Sequence, residues 1–181
     1  MAWQVDNSHT HINFTARHMM ISKVRGEFTS YEIAVNFDEQ TPTNTTVDVT
    51  IDAGSIFTRD EQRDAHLRSP DFLNAAEYPT LTFKGKRVEQ QDANHGRLIG
   101  DLTIRGITRE VALDVEYAGL VKNPWGKTSA GFSAKTTINR KDWDLTWNVA
   151  LEAGGWLVSD PVNIEIELEL VKVEEAVAVA A

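Results

Sequence analysis

The chain has 181 residues, no cysteine and a net charge of −9 from 27 acidic and 18 basic side chains. A single domain of that size hides roughly 70% of the surface of its unfolded chain, so a hydrophobic core suffices without staples. The missing cysteines exclude disulfides, zinc–thiolate sites, iron–sulfur clusters and thiol nucleophiles, and the acidic balance disfavours nucleic acid and anionic membrane surfaces as partners.

From the amino terminus, Met1-Ala2-Trp3-Gln4-Val5-Asp6 has neither a basic nor an apolar leader character, which leads to the expectation of a cytoplasmic protein. No apolar stretch approaches the roughly 20 residues of a membrane-spanning helix, so no integral membrane segment is expected. Apolar and polar residues then alternate, the signature of strands with one buried face. Ile12, Phe14 and Ala16 come first, then Val24 to Phe28, then Ile33, Val35 and Phe37, then Val47, Val49 and Ile51. One segment breaks the pattern. Thr58-Arg59-Asp60-Glu61 reads as a capping box, with Thr58 as N-cap, opening a helix over about residues 59–68 that Ser69-Pro70 ends.

Alternation resumes at Leu81 and Phe83, continues through Leu98, Gly100, Leu102 and Ile104, and passes through Val111, Leu113, Val115 and Tyr117. Ala130 to Ile138 and Val162 to Leu170 complete it. Turn-forming groups lie between these runs, at Thr41-Pro42, Asp92 to Gly96, Arg105-Gly106, Asn123-Pro124-Trp125-Gly126 and Asp160-Pro161. Short connections favour antiparallel neighbours, and closure removes exposed edges, so the expected fold is all-β, an eight-stranded antiparallel barrel with one short helix near a barrel end. Residues 1–173 form that one domain, and 174–181 form a frayed tail. The polar face of the last strand reads Asn163, Glu165, Glu167, Glu169 and belongs in water, which places the apolar face inside and argues against an outer-membrane barrel.

Candidate chemistry is sparse. His9 and His11, two apart on an expected strand, and His18 beyond them offer a metal-binding alternative, although no carboxylate stands at a telling spacing. Gly126-Lys127-Thr128 leads into an alternating strand where a phosphate loop needs a helix. Ser133 lies within a strand rather than at a nucleophile elbow. No catalytic residue is nominated, no cofactor is called for, and the chain is read as a non-enzyme. Alternation alone nominates an apolar lining of Ile12, Phe14, Phe28, Phe83, Leu102, Ile104, Phe132, Ile164 and Ile166. The charged helix is expected to be a solvated, self-compensating face; its functional alternative is that Arg59, Asp64 or Arg68 holds a ligand's polar head. A structural or interaction domain with a filled lumen is the third reading.

Several motifs together resemble one family. They include Trp3-x-Val5-Asp6-x-x-His9-Thr10, Arg17-His18-Met19-Met20-Ile21-Ser22-Lys23-Val24-Arg25-Gly26-x-Phe28, the helix with Asp71-Phe72 after it, Tyr78-Pro79-x-Leu81-x-Phe83 and Gly100 to Thr108. With Ala130 to Trp147 and the closing strand, they resemble the YceI family over nearly the whole chain. The resemblance implies a lipocalin-like barrel whose elongated cavity sequesters or transports a polyisoprenoid or isoprenoid quinone-like lipid, often as a homodimer. It carries over no catalytic residue.

Overall fold

The period-two alternation resolves into one continuous antiparallel sheet that curls into a barrel, in a computed structural model describing residues 2–174. Its strands are β1 (Ala2–Val5), β2 (His11–His18), β3 (Ser22–Phe28), β4 (Tyr31–Asn36), β5 (Thr46–Asp52), β6 (Ile56–Phe57), β7 (Thr80–Gln90), β8 (His95–Ile104), β9 (Ile107–Lys122), β10 (Thr128–Asn139) and β11 (Pro161–Val173), with one helix, α1 (Glu61–Arg68). The sheet order is β4-β5-β7-β8-β9-β10-β11-β2-β3-β6, and β1 pairs with the far end of β11.

Among the described residues eleven strands replace the expected eight: all nine alternating runs are strands, and β1 and β6 are added to them. These two are four and two residues long, too short to show a period, and only their pairing with β11 and β3 makes them strands. The expected tail, residues 174–181, lies outside the described residues except for Glu174.

The long hairpins β7–β8, β8–β9 and β9–β10 form the back wall, with register such as Leu102 opposite Phe83 and Ala134 opposite Val115. Closure uses no ladder where β4 meets β1. Side chains hold that seam: the Lys172 ammonium donates to Glu39 at 2.7 Å, and the Trp3 and Phe37 rings meet edge to face at 5.5 Å. Two glycines let aromatic rings lie on the wall. A Cβ on Gly26 would collide with the Phe14 ring, and one on Gly100 would collide with the Phe83 ring.

The two ends of the barrel differ. At one end, the floor, α1 and the segment after it place Leu67, Phe72 and Leu73 against the sheet, and the β10–β11 connection adds Trp143 and Leu145. Trp143 is 2% exposed and its indole Nε1–H donates to the Leu102 carbonyl at 3.0 Å. The other end, the mouth, carries the β4–β5, β7–β8 and β9–β10 turns.

The helix start departs from the expected capping box. Asp60, not Thr58, is the N-cap, accepting from the Arg63 amide at 3.1 Å. Thr58 is buried ahead of it, and its amide donates to Asp64 at 2.8 Å. Aspartate caps as well as threonine does, so the cap that also let Thr58 and Asp64 pair was selected by packing. Ser69 ends the helix as expected.

Candidate functional site

Inside the barrel lies a cavity of ≈ 600 Å³, within the usual range for small-molecule sites. Its walls come from alternate residues of nearly every strand, because a pleated strand sends every second side chain inward. All nine residues nominated from alternation line it: Ile12, Phe14, Phe28, Phe83, Leu102, Ile104, Phe132, Ile164 and Ile166. The lumen is therefore not filled by its own side chains, despite aromatic rings on several strands.

Apart from Asn13 and Thr136 on the walls, the polar lining lies toward the ends. At the mouth it includes Glu39, Asp92, His95 and Arg97; at the floor the charged residue is Arg140. Below the mouth a cluster of rings narrows the passage. Phe37 meets Phe132 at 5.1 Å, Tyr117 at 5.9 Å and Trp3 at 5.5 Å, and Tyr117 stacks on Phe132 at 5.0 Å. Edge-to-face contacts of this kind add to the burial of each ring.

Arg140 is 3% exposed and directs its guanidinium among backbone carbonyls. Nε donates to Ser159 O at 2.9 Å, Nη1 donates to Trp147 O at 2.9 Å and to Leu145 O, and Nη2 has no hydrogen-bond partner, lying 3.6 Å from Asp160 Oδ1. Burial pushes its pKa down and the Asp160 carboxylate opposes that shift. The arrangement ties the β10–β11 connection to the floor. Nothing in the spacing of Asn139-Arg140-Lys141 signals a buried cation, whereas Phe37 and Tyr117 belong to the same alternation that nominated the other rings.

The three head-group candidates do not reach the cavity. Arg59 is exposed with a left-handed φ of 63°, Arg68 is half-buried, and Asp64 is buried at 6% exposure beneath Thr58, whose amide and hydroxyl both donate to it. None of the three lines the cavity. The solvated charged face is thus corrected on one side: Asp64 is a buried acceptor, and Arg63 Nε and Nη2 donate to Thr58 rather than pairing with Asp60. The helical residue at the cavity is apolar Leu67.

The histidines are also separated. His9 lies in a 3₁₀ turn (Asn7–His9), not on a strand two residues from His11. His11 and His18 stand at opposite ends of β2, roughly 23 Å apart at the rise of an extended chain. The acid–histidine group within mutual ligand distance among the described residues is Asp6, His9 and Glu169. There His9 Nδ1 meets Asp6 at 2.9 Å and Glu169 at 3.7 Å. Asp6 caps the turn by accepting from the Ser8 amide, and its pKa falls to about 2, first through the Ser8 hydroxyl and then through His9. The His9 pKa rises in response to Asp6.

Residues 3–170 match the YceI-like domain. The chain belongs to the YceI family. A UPF0312 protein of Staphylococcus aureus strain N315 is 38% identical over 165 residues, 91% of this chain and 94% of that protein. The crystal structure of a Campylobacter jejuni YceI protein superposes with a TM-score of 0.76 at 35% identity, covering 87% of this chain and 90% of that one. Burkholderia cenocepacia BcnA superposes at 0.78 with 22% identity, covering 92% and 99%. A polyisoprenoid binding domain from Saccharophagus degradans superposes at 0.63 with 14% identity, covering 94% and 98%. At the identities of these last two the likeness is one of fold, and it confirms the curled antiparallel YceI architecture. Among the described residues no helix is long and apolar enough to cross a membrane.

Proposed function

We propose that this YceI protein is a binding protein rather than an enzyme, holding a long-chain apolar ligand of the polyisoprenoid or isoprenoid quinone class in its barrel for sequestration or transport. The observation that carries this reading is the ≈ 600 Å³ cavity with aliphatic and aromatic walls and charged groups only toward its ends. A long hydrocarbon chain with one polar end suits such a tube. Burying about twenty carbons at about 0.8 kcal/mol each contributes on the order of 16 kcal/mol before association and ordering costs. Costs of about 4–8 kcal/mol leave micromolar to nanomolar affinity. The polyisoprenoid binding domain of S. degradans shares the fold and supports the ligand class.

The test is organic extraction and mass spectrometry of the purified protein, with titration by a long-chain isoprenoid alcohol. Ala134→Trp, which puts an indole into the lumen from a partly buried wall position, is expected to abolish binding while the far-ultraviolet circular dichroism stays unchanged. Absence of any copurifying lipid together with no saturable isoprenoid binding by the wild-type chain overturns the reading.

A further inference from the structure

The β2–β3 hairpin breaks a local rule. Its three-residue loop, Met19 to Ile21, places Met19 and Met20 at φ 53° and 58°, both left-handed, where bulky L-residues are strained and glycine or asparagine is favoured. The strain exposes hydrophobic bulk: Met19 is 43% exposed, Met20 65% and Ile21 79%. The turn is held in place. The Met19 amide donates to Leu157 O at 2.8 Å, and Met20 packs against Gly155, where a Cβ would meet its sulfur. The same 150s segment adds Trp156, 57% exposed, and Val149, 47% exposed, to make one apolar knob. Strained backbone that displays apolar side chains to water is a cost to the folded state and points to a role outside it.

The charge around the knob is equally unusual. Arg17 and Lys23 face each other directly across the hairpin, and Arg25 is two residues further on the same strand face as Lys23. All three are exposed, and among the described residues no carboxylate lies within ion-pair distance of any of them. Like charges directly opposed on adjacent strands are unfavourable unless an external anion compensates them. From Arg17 to Gly26 the chain has no acid. The net charge of −9 disfavours an anionic surface at long range, but screening beyond about 8 Å at physiological salt leaves the local cations in control at contact. Glu152, at the tip of the neighbouring turn, and Glu27, two residues beyond Arg25 and further from the tip, are the acids nearest this face.

We propose that the Met19–Ile21 tip, with Trp156 and the Arg17–Lys23–Arg25 cations, docks on the surface of a lipid bilayer bearing anionic headgroups. An apolar tip with unpaired cations along one face of its hairpin matches the boundary between acyl chains and anionic headgroups. A second copy of this chain fits less well, because a two-fold contact through the patch brings Arg17, Lys23 and Arg25 against themselves. Ala16 and Val158, at the root of the tip, line the cavity, so docking brings the acyl phase beside the cavity's inner end. The docking stands whether or not the cavity holds an isoprenoid.

The experiment is flotation of the purified full chain with vesicles of phosphatidylcholine alone or phosphatidylcholine mixed with phosphatidylglycerol. Binding is expected to the mixed vesicles, weaker at high salt. Arg17→Gln with Lys23→Gln is expected to lower partitioning more than tenfold, at about fivefold per cation. Ile21→Ser, the most exposed tip residue, lowers it severalfold. Trp125→Ala, at an 84% exposed residue on the opposite end of the barrel, leaves it unchanged. Circular dichroism and a thermal melt check that each variant folds. The proposal is overturned if wild type floats with neither vesicle, or if Trp125→Ala loses as much binding as Ile21→Ser. It is equally overturned if Ile21→Ser abolishes a dimer seen by light scattering while vesicle binding is absent. Isoprenoid titration of the same samples keeps the two readings apart, since a chain that floats without binding isoprenoid overturns only the lumen reading.

Discussion

The floor and the mouth of the barrel are built from the same kinds of residue and do opposite jobs. At the floor Trp143 and Arg140 are 2% and 3% exposed; Trp143 donates to the Leu102 carbonyl of β8, and Arg140 donates through Nε and Nη1 to carbonyls of its own β10–β11 connection. At the mouth Phe37, Tyr117 and Phe132 are only half-buried and pack ring against ring. Close packing with nearly every polar group tied down makes the floor a plug; half-buried rings packed on one another form a rim with more freedom to rearrange. A tube sealed at one end and adjustable at the other is the geometry that a cavity-bound chain requires.

The largest expected effect comes from the floor. Trp143→Ala leaves a void and an unpaired Leu102 carbonyl and is expected to cost about 3–5 kcal/mol, lowering Tm by on the order of 10 °C. Denaturant titration measures it, and a cost below about 1 kcal/mol would show that the floor is no plug. A smaller effect is expected at the mouth. Phe37→Ala removes three ring contacts from a half-buried site and should cost about 2 kcal/mol, with faster release of a bound isoprenoid in stopped-flow displacement. Equal stability losses for the two variants would erase the distinction between the ends.

The smallest effect is electrostatic. The Asp6 carboxyl, with its folded pKa at about 2 against an unfolded value near 3.9, stabilises the native state above that unfolded value. Its contribution is lost as pH falls through about 4 toward about 2. The His9 pKa is raised, so its contribution is present below about 6.5 and is lost as pH rises through the raised value. Asp6→Asn is therefore expected to flatten the acid limb of stability and to return the His9 titration, tracked by NMR, toward an ordinary imidazole. An unchanged His9 titration in that variant would break the Asp6–His9 pairing that steadies the turn between β1 and β2.

The inward face was legible because alternation is a local property: Ile12, Phe14, Phe83, Leu102, Phe132 and Ile164 are placed by period two once any one of them is inside. Asp64 and the histidines were not, for a shared reason. A carboxylate beside Arg63 and Arg68 looks solvated until Thr58 folds over it, and His9 looks strand-bound until Asp6 caps a 3₁₀ turn around it. Both outcomes depend on hydrogen bonds whose competitors a linear pattern does not rank.

By itself, the sequence determined the antiparallel class, the turns and which side chains face inward, since these arise from strand pleat and turn chemistry over a few residues. The tertiary structure decided the eleven-strand count, the seam closed by Lys172 with Glu39 and Trp3 with Phe37, the burial of Arg140 and the presence of open space in the lumen. Those are consequences of how far apart the walls stand and what crosses between them. That distance is set by the curl of the whole sheet, not by any one strand.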